Sequence, residues 1–115
     1  WDMKTPDIPN TPKDVSAAAI MASALYELST YVSANDSRRY KKLANKIVDS
    51  LNKDYQAQSE TAYGFLLLHS TGHYPGGEID VPLSYADYYY LEALARKRML
   101  DTNHINSDTL PIVKE

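Results

Sequence analysis

The stretch Asp14-Val-Ser-Ala-Ala-Ala-Ile-Met-Ala-Ser-Ala-Leu25 decides the fold. Between Ala17 and Leu25 no position on any face carries a charge. Asp14 is suited to cap such a segment, so the spacing predicts a helix from Val15 to about Tyr31. A helix that is apolar all round needs neighbours on every side, and its alanines and serines let them come close.

Working outward, Asn35-Asp-Ser breaks the pattern and is expected to recap a second helix. In it Tyr40, Leu43, Ala44, Ile47, Val48 and Leu51 recur at helical spacing, while Arg38, Arg39, Lys41, Lys42, Lys46, Asp49 and Lys53 take the other positions. That is an amphipathic helix with one wet face, the outer member of an antiparallel hairpin whose inner member is the first helix. Toward the N-terminus, Pro6, Pro9 and Pro12 predict an extended lead-in segment over residues 1–14, with Trp1 as its large apolar group.

Beyond a polar connection from Asp54 to Glu60, Ala62 to His69 is short and apolar, and is expected to be a short helix or an irregular segment. All four glycines lie between Gly64 and Gly77, and the loop that follows His69 brings Glu78 and Asp80 to the start of a third helix at Leu83 or Ser84. Ser84 and Asp87 have the spacing of a capping box. Tyr85, Tyr88, Tyr89, Leu91, Leu94 and Ala95 cover most of this helix, which makes it a second inner-type element. Arg96, Lys97 and Arg98 are expected at its C-terminal end, where the helix dipole favours cations. Residues 15–100 thus hold the helices and the loop, and residues 101–115 read as a tail held by Leu110, Ile112 and Val113. The fold class is all-α, and two all-round apolar helices in so short a chain imply further partners.

With 115 residues and 43% hydrophobic content, there is chain for one small core. A net charge of −3 with no basic block gives nucleic-acid binding little electrostatic support. No apolar run is long enough to span a membrane. The absence of cysteine excludes disulfides and thiolate metal sites. His69 and His73 are four apart, but Gly72 breaks any helix between them and no third ligand is near, so no metal site is expected. Glu78 and Asp80 would point the same way from an extended loop, which does not suit a two-carboxylate glycosidase. An opening of Trp-Asp-Met-Lys, without an initiator methionine, leads us to expect a piece of a longer protein.

Four motifs in register resemble one known family. Trp1-Asp with its following prolines, Asp14 to Leu25, Gly64-Phe-Leu-Leu-Leu-His-Ser-Thr-Gly-His73 and Gly77-Glu-Ile-Asp-Val-Pro-Leu-Ser-Tyr-Ala-Asp-Tyr-Tyr-Tyr-Leu-Glu-Ala-Leu94 resemble the C-terminal third of the unsaturated glucuronyl hydrolases, glycoside hydrolase family 88. The resemblance implies the C-terminal portion of an (α/α)6 barrel, six inner and six outer helices. It implies removal of an unsaturated uronic acid from lyase-generated oligosaccharides by hydration of the C4=C5 double bond, with no metal or organic cofactor. The catalytic aspartates are then expected upstream of Trp1, leaving this chain with no catalytic residue of its own and inactive alone. Trp1, His73, Glu78 and Asp80 would be substrate-binding residues of the cleft wall. The partners implied are an unsaturated oligosaccharide and the N-terminal remainder of the barrel, with neither nucleic acid nor membrane. The location implied is a bacterial periplasm or cytoplasm. Two other readings stand beside this one: a non-catalytic helical interaction domain, and a related toroid that hydrolyses unsaturated rhamnogalacturonyl units.

Overall fold

The computed structural model describes residue 2 and residues 4–108 of the chain. Three helices carry it: α1 (Val15–Leu28), α2 (Ala34–Ser50) and α3 (Ser84–Asp108). The Asp14 carboxylate accepts from the Ser16 amide at 3.1 Å and so caps α1. The helix ends at Leu28, three residues short of Tyr31, because Ser29 and Thr30 turn their hydroxyls back onto the Tyr26 and Glu27 carbonyls. The cap of α2 is Ser33, ahead of the expected Asn35-Asp-Ser. Its hydroxyl accepts from the Asp36 amide at 3.3 Å and donates to the Asp36 carboxylate at 3.1 Å. At its far end α2 widens into a π-helical turn, Leu51–Tyr55.

Helix α1 lies between the other two. Against α2 the pairing descends, since Val15 and Ala19 meet Leu51 while Ala22 and Tyr26 meet Val48 and Ala44, so the two are antiparallel. Against α3 it ascends, with Ala19 near Ala86 and Tyr90 and with Tyr26 near Ala93, so these two run parallel. Alanines at 0% exposure line both seams: Ala19, Ala22, Ala44, Ala86 and Ala93. Their small side chains set the close approach, and Tyr26, Leu51, Leu67 and Tyr90 fill the remaining volume.

Only part of each inner-type helix is covered. Ile20, Met21 and Leu28 on α1 are 40%, 53% and 43% exposed, and Tyr85, Tyr88 and Leu91 on α3 are exposed too. The α3 side chains most deeply buried are Ala86, Tyr90 and Ala93; of the apolar set read from its spacing, Tyr89 and Leu94 pack against the core while Tyr85, Tyr88 and Leu91 stay exposed.

Three expectations change. Helix α3 continues to Asp108, so Arg96 to Arg98 sit well inside it and residues 101–108 are helical. Arg96 reaches across to α1: its guanidinium lies 2.5 Å from Glu27 and 3.3 Å from Glu92, and it donates to the Ser23 carbonyl at 2.9 Å. It serves a cross-helix pair network and no helix terminus. Asp87 is likewise no capping-box partner of Ser84. Its two oxygens accept from the Leu66 and Leu67 amides at 2.9 and 3.0 Å, which pins the incoming chain to α3. Leu110, Ile112 and Val113, the expected tail anchors, lie outside the described residues.

Candidate functional site

The apolar stretch before the loop forms a single 3-10 turn at Ala62–Gly64 and then extends. Leu66 and Leu68 pair with the backbone of Ala57 and Tyr55, bridging Gln56 to Leu67. The next residues double back as an irregular hairpin. Ser70 and Val81 exchange both backbone bonds at 2.9 and 3.0 Å, and the Gly72 amide donates to the Glu78 carbonyl at 3.0 Å. A tight turn, Tyr74–Gly76, closes the tip, with Gly77 at φ 83, a conformation that glycine adopts freely.

The hairpin is stitched to the start of α1. The Val15 amide donates to the His69 carbonyl at 3.2 Å, and the Thr71 hydroxyl donates to the Lys13 carbonyl at 2.8 Å. With Asp87 holding the other side, the loop stands on the first turns of both parallel helices. A polar loop is thereby carried on rigid elements.

Each expected site residue has a definite place, except Trp1, which lies outside the described residues. His73 and Glu78 face one another as a backbone bridge near the tip, and both are exposed. The Glu78 carboxylate lies over Gly72, where an added Cβ would come within 2.7 Å of it. The His73 ring lies in the same way over Gly76. Asp80 stands at the root, 2.5 Å from Nδ1 of His69. Glu78 and Asp80 thus engage different partners, Gly72 and His69, and do not form a pair.

The His69–Asp80 pair was not visible in the spacing, which had coupled His69 only to His73. Both residues are left-handed, with φ 67 and 59, and they flank the Ser70–Val81 bridge. Left-handed backbone costs a non-glycine residue about 1–2 kcal/mol, and His and Asp are among the residues that tolerate it best. That tolerance was the available signal. Beside the pair, the edge of the Tyr55 ring meets His69 at a centroid distance of 6.1 Å, and the Lys13 ammonium sits 5.2 Å from the Tyr55 ring centre. A cleft of about 530 Å³ opens between these groups and the chain around Asn10.

Chemically, the surface offers exposed carboxylates, an imidazole, an ammonium, an amide and aromatic faces, the set that binds sugar hydroxyls. Known proteins resemble the chain over most of its length. The chain is 45% identical over 102 residues to an unsaturated glucuronyl hydrolase of Formosa agariphila, a match that takes in 87% of this chain and 25% of that protein. It is homologous to a C-terminal part of the unsaturated glucuronyl hydrolases. An unsaturated chondroitin disaccharide hydrolase of Streptococcus agalactiae is 32% identical over 99 residues, 84% of this chain and 25% of that one. Among solved structures, an unsaturated glucuronyl hydrolase specific for heparin superposes with a TM-score of 0.84 at 44% identity, covering 89% of this chain and 28% of its own. A second, bearing dGlcA-Glc-Rha-Glc, gives 0.75 at 30% identity, with 84% and 26% covered. No protein-family model matches the chain.

The chain therefore spans about a quarter of the length of the relatives it matches, rather than a third. It takes the fold of the corresponding part of their (α/α)6 barrel. The named relatives are bacterial glycosidases.

Proposed function

We propose that this chain is the C-terminal part of a glycoside hydrolase that removes an unsaturated uronic acid from oligosaccharides left by polysaccharide lyases. The observation that carries the reading is the match to the unsaturated glucuronyl hydrolases over most of the chain, in both sequence and three-dimensional structure. The segment's part is to shape the substrate cleft, with Trp1, His73, Glu78 and Asp80 on its wall. The uncovered faces of α1 and α3 support this division of labour, because they are the faces that neighbouring inner helices of a closed toroid would cover.

In the proposed reaction an aspartic acid from the remainder of the barrel delivers its proton to C4 of the C4=C5 double bond, and water adds at C5. The hemiketal so formed opens and releases the sugar that had been linked at C1. The acid must be protonated near neutral pH, which calls for an environment that raises its pKa. Residues of this chain take no proton in that scheme. They hold the sugar so that its double bond faces the acid, and orientation of that kind accounts for a large share of a catalysed rate.

The test is the ultraviolet absorbance of the double bond. The complete protein should abolish it in an unsaturated disaccharide, and Glu78→Gln and His73→Ala should raise KM about three- to tenfold with a smaller effect on kcat, as expected for binding groups. A complete protein that leaves the absorbance unchanged refutes the reading.

A further inference from the structure

The side of α2 turned away from α1 is a stripe of positive charge. We propose that it docks intact anionic polysaccharide, a linear polymer of uronate or sulfated sugars that no lyase has cut; this rests on the hydrolase reading above, in which α2 is an outer helix of the toroid and its charged side lies on the perimeter.

From Arg38 to Lys46 the helix holds five of the chain's 12 basic residues and none of its 15 acidic ones, so the rest of the chain is acidic. Ala44 and Val48 turn the opposite side of α2 into the core. Arg38, Lys42 and Lys46 follow one another at one-turn spacing, about 6 Å apart and about 12 Å from first to last along the axis. All three are exposed, as is Arg39, and Lys41 is half-buried beside them. Of the five, Arg39 alone has an acidic partner among the described residues, Asp36 at 3.4 Å, while Arg38 donates to the side chain of Asn35. Cations three and four residues apart with no carboxylate between them repel one another, so the stripe works against the helix that carries it. Its use lies outside the fold. Asp49, three residues past Lys46, ends the run.

The shape of the stripe selects among anions. A single exposed ion pair is weak, so a small anion gains little there, whereas a polymer that meets several cations at once gains from all of them. The stripe lies along one convex helix, which suits a linear chain whose anionic groups recur at intervals. Single-stranded nucleic acid needs aromatic faces for its bases, and the one ring on this stretch, Tyr40, already lies under the Arg39 guanidinium at 5.3 Å. A bilayer needs an apolar face turned to the lipid, but the apolar side of α2 is buried in the core and Leu43 borders the groove beside α1. The polymer docked on α2 is not the molecule hydrolysed, because an uncut chain has no C4=C5 double bond at its end. Docking holds the enzyme beside the polymer from which a lyase releases its substrate.

The experiment uses the complete protein and measures its binding to immobilised intact heparin across a range of salt, beside its turnover of an unsaturated disaccharide. Binding should weaken steeply as salt rises. The triple variant Arg38→Gln/Lys42→Gln/Lys46→Gln should bind about tenfold more weakly, with kcat/KM for the disaccharide unchanged, since none of the three belongs to the cleft. Lys42→Gln alone, a change at one exposed side chain, should already weaken binding about twofold. Unchanged affinity in these variants, displacement of the polymer by excess unsaturated disaccharide, or tighter binding to double-stranded DNA or to phosphatidylserine vesicles at the same salt overturns the proposal. Turnover is read separately: its absence from the wild type overturns the hydrolase reading, whatever the polymer does.

Discussion

Tyr26 is 2% exposed and donates its hydroxyl to Asn45 at 2.6 Å, joining α1 to α2. Its phenol is pushed up to about 12, chiefly by burial and then by the charges of Asp101 and Asp49. The folded state thus holds this proton more tightly than the unfolded chain, whose phenols titrate near their ordinary value of about 10. The stabilisation is complete below pH 10 and is lost as the pH climbs from 10 to 12. Thermal melts of the complete protein should fall across that window, and Tyr26→Phe should flatten part of the fall while costing about 1 kcal/mol at neutral pH. Tyr90, also raised by burial, would keep the remainder. Asp87 offers a second test at this scale. Removing its carboxylate in Asp87→Ala leaves the Leu66 and Leu67 amides without their acceptor, and denaturant titration should show a loss of about 2–3 kcal/mol. The sequence placed Asp87 correctly at the start of a helix but could not show its partner, because Leu66 is 21 residues away and the link exists only in the folded chain.

Among the elements, legibility followed periodicity. The cap at Asp14, the absence of charge on α1 and the striped face of α2 are local patterns, and the helices they announce are present. The end of α3 was misread because three cations in a row resemble a C-terminal signal, whereas Arg96 is occupied with Glu27 and Glu92 in the middle of the helix. The hairpin was legible as a glycine-rich loop carrying carboxylates. Its internal pairing was not, since the bridge between Ser70 and Val81 is flanked by two left-handed residues, His69 and Asp80, whose only mark in the sequence is the tolerance of their residue types for that backbone. The seams between helices give the test here. Ala22 and Ala93 are fully buried where α1 meets its neighbours, so Ala22→Leu should force the helices apart and destabilise by about 1–3 kcal/mol, whereas the same change at exposed Ala34, in the first turn of α2, should be within about 0.5 kcal/mol by denaturant titration.

At the scale of the whole molecule, the uncovered apolar surface is the dominant fact. Ile20, Met21, Leu28, Tyr88 and Leu91 present to water what inner helices of a toroid present to one another. The chain on its own should therefore self-associate, and sedimentation should give a mass that rises with concentration. A sharp monomer melt independent of concentration would contradict this. The expectation of further partners comes from two all-round apolar helices, while the proposal that those partners are the rest of a toroid comes from the resemblance of four motifs and not from periodicity.

The central claim is that this segment belongs to a toroid about four times its size, and the most direct test is the intact mass of the natural gene product. The account predicts about four times the 13.0 kDa of this chain, in keeping with its share of the relatives. A product of about 13 kDa would contradict it, for then no remainder of the barrel could supply the catalytic acid.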